Sequence, residues 1–377
     1  MRSRREFLVT MGRAAAVAAM APTWFAEAAE QFPAEIAALY RKSVVVDTLC
    51  GPFSGSVDKI NAELIDVVSK SGITAINVTV SERGFDETLR ELGELERLVE
   101  RWPDAFLMVR TQPDLGRAKR EAKLGLMPGF QYSEFLEQDP TRIETFRNLG
   151  VRIMQLTYNN RSIFGDGCLE PGNAGLSKAG LKAVEKMNEI GVAVDLSHSG
   201  YRTTSEAIAA SKKPVLISHS GCASIYAHPR NKPDEVMREL ADKGGYFGVY
   251  LMPYLVASPA VPTREHVINH VLGALKICGE EHVGIGSDGS IQAVQLTPEQ
   301  KTAFDEDVAR RKQMGIGAPG EDRYPYVPDL NGPDHMEVIA YELQKRGQTS
   351  AVIEKVLGAN FQRIIGEIWG SPQPGGG

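Results

Sequence analysis

The strongest constraint on how this 377-residue chain can fold is a rhythm in which short apolar runs, many of them β-branched, alternate with amphipathic stretches. The runs are 43–48 (SVVVDT), 73–80 (ITAINVTV), 105–110 (AFLMVR), 124–129 (LGLMPG), 151–157 (VRIMQLT), 192–197 (VAVDLS), 214–218 (PVLIS), 246–252 (YFGVYLM) and 283–287 (VGIGS). Helical patterns such as 177–190, 202–211 and 264–278 lie between most of them. Continuous apolar runs mean strands buried on both faces, and strands separated by helices mean a parallel sheet. The fold class is therefore α/β. We expect a (β/α)8 TIM-type barrel, with a doubly wound sheet as its rival. Nine runs exceed eight barrel strands, and 105–110 is expected to be the extra one. Residues 292–330 break the rhythm: Thr297–Gln313 reads as an exposed charged helix, and Gly315–Pro328 is rich in Gly, Pro and Tyr. An insertion over one end of the barrel is expected there, followed by closing helices near 335–345 and 349–369.

Residues 1–28 read as an export signal outside the fold. The basic head holds Ser3-Arg4-Arg5-Glu6-Phe7-Leu8, which resembles the twin-arginine consensus, and Ala26-Glu27-Ala28 supplies a small-residue cleavage pattern. The apolar run between them, Ala14 to Ala21, is too short to span a bilayer. The expected organisation is a signal over 1–28, a periplasmic or secreted barrel domain over 29–370 with no stable membrane span, and a disordered tail over 371–377. A net charge of −6 leaves no basic field for nucleic acid. Four cysteines, Cys50, Cys168, Cys222 and Cys278, form no CxxC. Buried thiols are the plain expectation, and sequence cannot choose among the three possible pairings.

Parallel barrels carry their chemistry at the C-terminal ends of strands. Three such ends hold metal-competent residues: Asp195-Leu196-Ser197-His198, Ile217-Ser218-His219-Ser220 and Gly286-Ser287-Asp288. Two imidazoles and a carboxylate converging at one mouth suit Zn²⁺ with an open position for water, as in metal-dependent amidohydrolase-like barrels. His198 and His219 are the expected ligands. Asp288 either takes a proton from the attacking water or joins the ligand set. The segment Asn159–Leu176 is long, polar and Gly-rich on the same face, and its Asn160, Arg161, Asp166 and Glu170 either line the pocket or build turns. His266 and His270 on an outer helix, His282 at the opposite strand end and His335 opening a late helix read as structural.

The stretches Val194–Gly200 (VDLSHSG), Pro214–Ser220 (PVLISHS), His228–Asn231 (HPRN), His282–Asp288 (HVGIGSD) and Gly358–Arg363 (GANFQR) resemble the renal (membrane) dipeptidase family of zinc metallopeptidases. Weaker matches run from Val44 to Trp369. The resemblance implies a (β/α)8 barrel that hydrolyses dipeptides with two zinc ions bridged by a carboxylate, commonly as a homodimer. Carried over by position, it gives His198 and His219 one zinc, Arg230 the substrate carboxylate and Asp288 the acid/base role. Three departures bear on that picture. The family's Asp-x-His-x-Asp reads Asp47-Thr48-Leu49-Cys50-Gly51, so both ligands of the other zinc are replaced. Gln131 follows Gly129-Phe130 where the bridging glutamate belongs, and a neutral amide bridges two cations poorly. Tyr158 in Leu156-Thr157-Tyr158 replaces a substrate-side histidine. Because all seven histidines lie at or beyond His198, nothing in the first half of the chain supplies another imidazole, and at most one zinc is expected. Gln131 and Asn160 are then expected beside the substrate, with Tyr158 donating to a developing oxyanion.

These readings point to an exported hydrolase of dipeptides or related small amides, in which a metal-activated water attacks the carbonyl. A non-catalytic periplasmic binding or maturation protein on the same barrel is the alternative, motivated by Leu49, Gly51 and Gln131. A changed reaction, such as a metal-assisted lyase or epimerase, is the third.

Overall fold

The computed structural model describes residues 32–53, 60–82, 84–137 and 139–370, so the export-signal segment and the tail 371–377 lie outside the described residues. The strands in chain order are β1 (Val46–Asp47), β2 (Cys50–Gly51), β3 (Ala75–Thr79), β4 (Phe106–Met108), β5 (Leu124–Phe130), β6 (Ile153–Gln155), β7 (Ala193–Asp195), β8 (Leu216–Ser220), β9 (Tyr246–Val249), β10 (Val283–Ile285) and β11 (Gly289–Ser290). The main sheet runs β3-β1-β10-β9-β8-β7-β6-β5 and closes through a β3–β5 pairing, so eight parallel strands form a barrel. The ninth strand is β4, within the 105–110 run expected to be supernumerary. It pairs with the first residues of β5, Leu124 to Leu126, while β6 takes Gly129 and Phe130. β4 is thus wedged at the barrel's lower rim. β2 and β11 pair with each other at the opposite rim.

Local signals explain the helices. Ser177 accepts Gly180 N–H to start Lys178–Ile190, and Gly191, at φ +71°, ends it in the left-handed region. The expected closing helix 349–369 is broken: Ser350–Glu354 passes through a wide turn at Lys355–Ala359 into Asn360–Trp369. The break sits at Gly358, where a Cβ would lie 2.3 Å from the Val44 carbonyl oxygen. Helix 360–369 then plugs the barrel floor. Phe361, Ile364, Ile365 and Ile368 pack against Val46, Ala75, Met127, Ile153, Ala193, Leu216 and Tyr246, a residue from each of seven strands. A second, larger cluster fills the space between barrel and surrounding helices.

The run Gly284-Ile285-Gly286-Ser287-Asp288-Gly289 has the spacing of a dinucleotide loop, but no helix follows it; it continues into β11. Barrel packing accounts for its first two glycines. A Cβ at Gly284 would lie 2.1 Å from the Tyr246 hydroxyl, and one at Gly286 would lie 2.0 Å from the Ser218 carbonyl oxygen.

Residues 292–330 hold helix Pro298–Gln313 and a loop that reaches the C-terminal mouth. There Ile316 O accepts Asn159 Nδ2 (3.4 Å), and Pro319 O accepts His228 Nε2–H (2.8 Å). Arg323 donates to the Val256 and Ala260 carbonyls at 3.0 and 2.8 Å, which fixes the loop against the segment after β9.

Candidate functional site

β7 delivers Asp195 to the mouth, the chain continues through Ser197 to His198, and β8 brings His219 alongside. Asp195 is buried and fully engaged. Its Oδ1 accepts the Ser197 and Ser218 backbone N–H groups, both at 3.1 Å, and the Ser197 hydroxyl at 2.6 Å; Oδ2 accepts the Ser218 hydroxyl at 2.5 Å. Burial raises its pKa above the ordinary carboxylate value, and these four bonds oppose that rise. With its proton committed to Asp195, Ser218 Oγ accepts from His219 Nδ1, 2.8 Å away. His198 Nδ1 lies 2.7 Å from Asn159 Oδ1, an oxygen that can only accept. Both imidazoles therefore carry their proton on Nδ1, as inferred from these acceptors, and both Nε2 atoms present lone pairs.

The two Nε2 atoms are 3.0 Å apart. Two lone pairs at that distance repel unless a proton or a cation shares them. Two ligands held at about 2.05 Å on a tetrahedral zinc would be roughly 3.3 Å apart, so the pair suits one such ion. Pinning each Nδ1–H to an oxygen is how metal-binding imidazoles are usually oriented. Gln131 completes this side, with its amide nitrogen 3.4 Å from His219 Nε2; a flip of the amide would present its oxygen to a cation instead. Tyr158 lies flat on His198 (centroids 4.1 Å, planes 21° apart) and Tyr132 stacks on Tyr158 at 4.5 Å, which fixes the His198 ring plane.

Arg230 comes from the loop after β8. Its Nη1 donates to the Ser197 carbonyl. Nη2 is buried, with no oxygen or nitrogen partner among the described residues, an arrangement suited to an incoming carboxylate. The HPRN loop is clamped around it. His228 accepts Arg230 N–H on Nδ1 (3.2 Å) and donates to Pro319 O, and burial with nearby Arg230 and Arg323 depresses its pKa to about 4. Asn231 donates to the Tyr226 and Tyr254 carbonyls at 2.8 and 3.0 Å. Lys232 is buried, donates to the Ser199 carbonyl and the Thr204 hydroxyl, and burial pulls its pKa down to about 7.

His198, His219, Gln131 and Tyr158 are thus brought together, with Arg230 one residue's backbone away at Ser197. Asp288 stands two strands from His219, beyond the end of β10, where its N–H donates to Leu49 O at 2.8 Å. Asn159, not singled out by the sequence, makes the His198 contact, while its neighbour Asn160 accepts Gly167 N–H on its backbone carbonyl inside the same loop. Asp166 builds turns, pairing with Arg161 at 2.7 Å and accepting the Ala174 N–H while 2% exposed. All four cysteines are free thiols.

Among the described residues, no group of three or more His, Cys, Asp or Glu is arranged to hold a metal ion. One ion shared by His198 and His219 fits the donor set, but a second does not. At its place stand buried Leu49 and half-buried Gly51, and Asp47 is occupied otherwise. Asp47 Oδ1 accepts Leu49 N–H (3.2 Å) and Ser287 N–H (2.8 Å), and Oδ2 lies 3.4 Å from His335 Nε2. His335, expected only to open its helix, turns inward, and its Nδ1 lies 2.8 Å from Gly332 O. An imidazole from the far end of the chain thus reaches the first strand, where it meets Asp47. The other outlying histidines are structural, His266 bonding Thr263, His270 bonding Cys222 N–H and Leu255 O, and His282 bonding Gly245 O.

The fold and site together define a (β/α)8 barrel with paired, pre-oriented imidazoles at its C-terminal mouth. The chain belongs to the membrane dipeptidase family (peptidase family M19), which matches residues 24–301. It is 30% identical over 283 residues to dipeptidase verJ of Clonostachys rogersoniana, covering 74% of this chain and 65% of that protein. It is 29% identical to dipeptidase tcpJ of Claviceps purpurea, covering 77% and 61%. The chain thus spans slightly under two thirds of the length of these relatives. Among solved structures, an amidohydrolase from Pseudomonas aeruginosa superposes with a TM-score of 0.77 at 31% identity, covering 89% of this chain and 99% of that one. A metallopeptidase from Rhodobacter sphaeroides, solved with a phosphinate mimic of the dipeptide L-Ala-D-Ala, shares the fold with a TM-score of 0.69 at 16% identity, covering 87% of this chain and all (100%) of that one.

Proposed function

We propose that this protein is an exported hydrolase of dipeptides or related small amides, working with one metal ion, zinc, held by His198 and His219. The observation that carries this reading is the pair of Nδ1-protonated imidazoles whose Nε2 atoms converge at 3.0 Å. A metal held there would supply Lewis acidity and lower the pKa of a bound water. The chain's own residues would do the rest. Asn159 and Ser218 orient the two rings. Arg230 takes the substrate's terminal carboxylate through Nη2. Asp288 moves the proton from the attacking water to the leaving amine. Tyr158 and the Gln131 amide border the carbonyl. The segment from Ile316 to Pro319 is tied to Asn159 on one side of the mouth and to His228 on the other, which favours small substrates over polypeptides. Among the described residues no helix is long and apolar enough to cross a membrane. The proposed location, periplasmic or secreted, rests on the signal-like residues 1–28.

The test joins metal analysis to a dipeptide screen on protein purified without added metal or chelator. One zinc per chain and chelator-sensitive dipeptide hydrolysis are expected. Arg230→Met should then raise KM by roughly 10–100-fold, the loss of a charged hydrogen bond, with a smaller effect on kcat. A chain that takes up no metal even when zinc is supplied, yet binds small carboxylates through Arg230, would establish the non-catalytic binding protein instead.

A further inference from the structure

We propose that His335 is a positioning residue for Asp288, acting through Asp47 at the rim where the second metal ligands are absent. The inference rests on the proton-transfer role given to Asp288 above.

Three observations carry it. First, His335 and Asp47 are 2% and 0% exposed, so their contact is made out of water. The partner of His335 Nδ1 is a carbonyl and the partner of Nε2 is a carboxylate oxygen. Both partners accept, so the ring donates from both nitrogens and is an imidazolium. Burial alone would strip its proton, but the Asp47 bond and charge, the Gly332 carbonyl and Asp334 together hold the pKa above the ordinary histidine value. Second, the other oxygen of Asp47 grips two backbone N–H groups, Leu49's and Ser287's. One carboxylate therefore joins β1, the end of β10 and helix His335–Lys345. Third, the residue after Ser287 is Asp288, held at φ +57° with its N–H on Leu49 O. The left-handed region is uncommon outside glycine and persists only where the surroundings enforce it. Asp47 and Leu49 hold it on the Ser287 side, the Cys50–Gly289 pairing holds it on the other, and His335 anchors Asp47 from behind. An internal cation thus organises the strand-one rim. His335 lies beyond residues 24–301, the segment that matches the family.

The experiment compares His335→Leu and His335→Gln with wild type by crystal structure, metal content and dipeptide kinetics. His335→Leu is expected to release Asp288 from the left-handed region and lower kcat by about 10²-fold, the scale of a misplaced reacting group. KM should stay within about threefold and metal content should not change. His335→Gln keeps an N–H donor for Asp47 and should recover most of that loss. Should the leucine variant not fold, Asp47→Asn must show the same displacement and kcat loss. An unmoved Asp288 backbone, or a kcat that falls only in step with the folded fraction, overturns the proposal. If wild type cleaves no dipeptide, the functional reading fails by itself, and the Asp288 backbone in the variant crystals still decides the inference.

Discussion

His219→Ala is expected to abolish both metal uptake and dipeptide turnover. The imidazole contributes one of two converging nitrogens, and no third His, Cys, Asp or Glu is arranged to replace it among the described residues. Loss of a residue that merely orients a metal ligand typically costs roughly 10–100-fold in affinity, and loss of the ligand itself should exceed that. A graded series follows from the Asp195–Ser218–His219 relay. Ser218→Ala leaves the His219 Nδ1–H without its acceptor and Asp195 Oδ2 without a donor, so it should weaken metal binding by about 10–100-fold while the fold is retained. Metal titration of both variants, with circular dichroism as the check on folding, reads the series. Wild-type metal content in His219→Ala would mean that the ion, if any, sits elsewhere, and the hydrolytic reading would fall with it.

How much of this was legible in the sequence depends on distance along the chain. Strands were readable because burial on both faces leaves continuous apolar runs: 124–129 and 283–287 fall on Leu124–Phe130 and Val283–Ile285. His198 and His219 were readable because each sits at or just past a strand end, where a barrel keeps its chemistry, whereas Arg230, ten residues beyond β8, was legible only through the resemblance of its HPRN stretch. What was hidden are contacts between residues far apart: Asn159 on His198, 39 positions away, and His335 beside Asp47, 288 positions away. Local pattern carries no trace of either, and Asn159 and Asn160 are equally polar neighbours on one loop. The serine hydroxyls of the Asp195 relay were present in both motifs, VDLSHSG and LISHS. Their spacing shows that two serines accompany two histidines, but not that one carboxylate gathers them.

Substituting Gly248 by alanine should destabilise the barrel and disturb the site together, because His219 sits in an irregularity of the sheet. Pairing between β8 and β9 shifts register between Ile217 and Ser220, and such bulges re-aim side chains beside active sites. Here the shift leaves the Ser218 carbonyl accepting the Thr48 hydroxyl at 2.7 Å. Room for that oxygen comes from two glycines, since a Cβ at Gly248 or at Gly286 would lie 2.0 Å from it. The obstructing atom is backbone, so relief must come from moving Ser218 and with it His219. Overpacking of this kind costs about 1–3 kcal/mol or more. Gly248→Ala should therefore lower the Tm by several degrees and reduce metal affinity in the same protein. Gly93, mid-helix in Phe85–Arg101 with nothing near its Cβ position, is the matched control. Gly93→Ala should stabilise by roughly 0.5–1 kcal/mol through the unfolded chain and leave metal binding unchanged. If both alanines behave alike, the Ser218 carbonyl does not set the position of His219; opposite signs tie the sheet irregularity to the site.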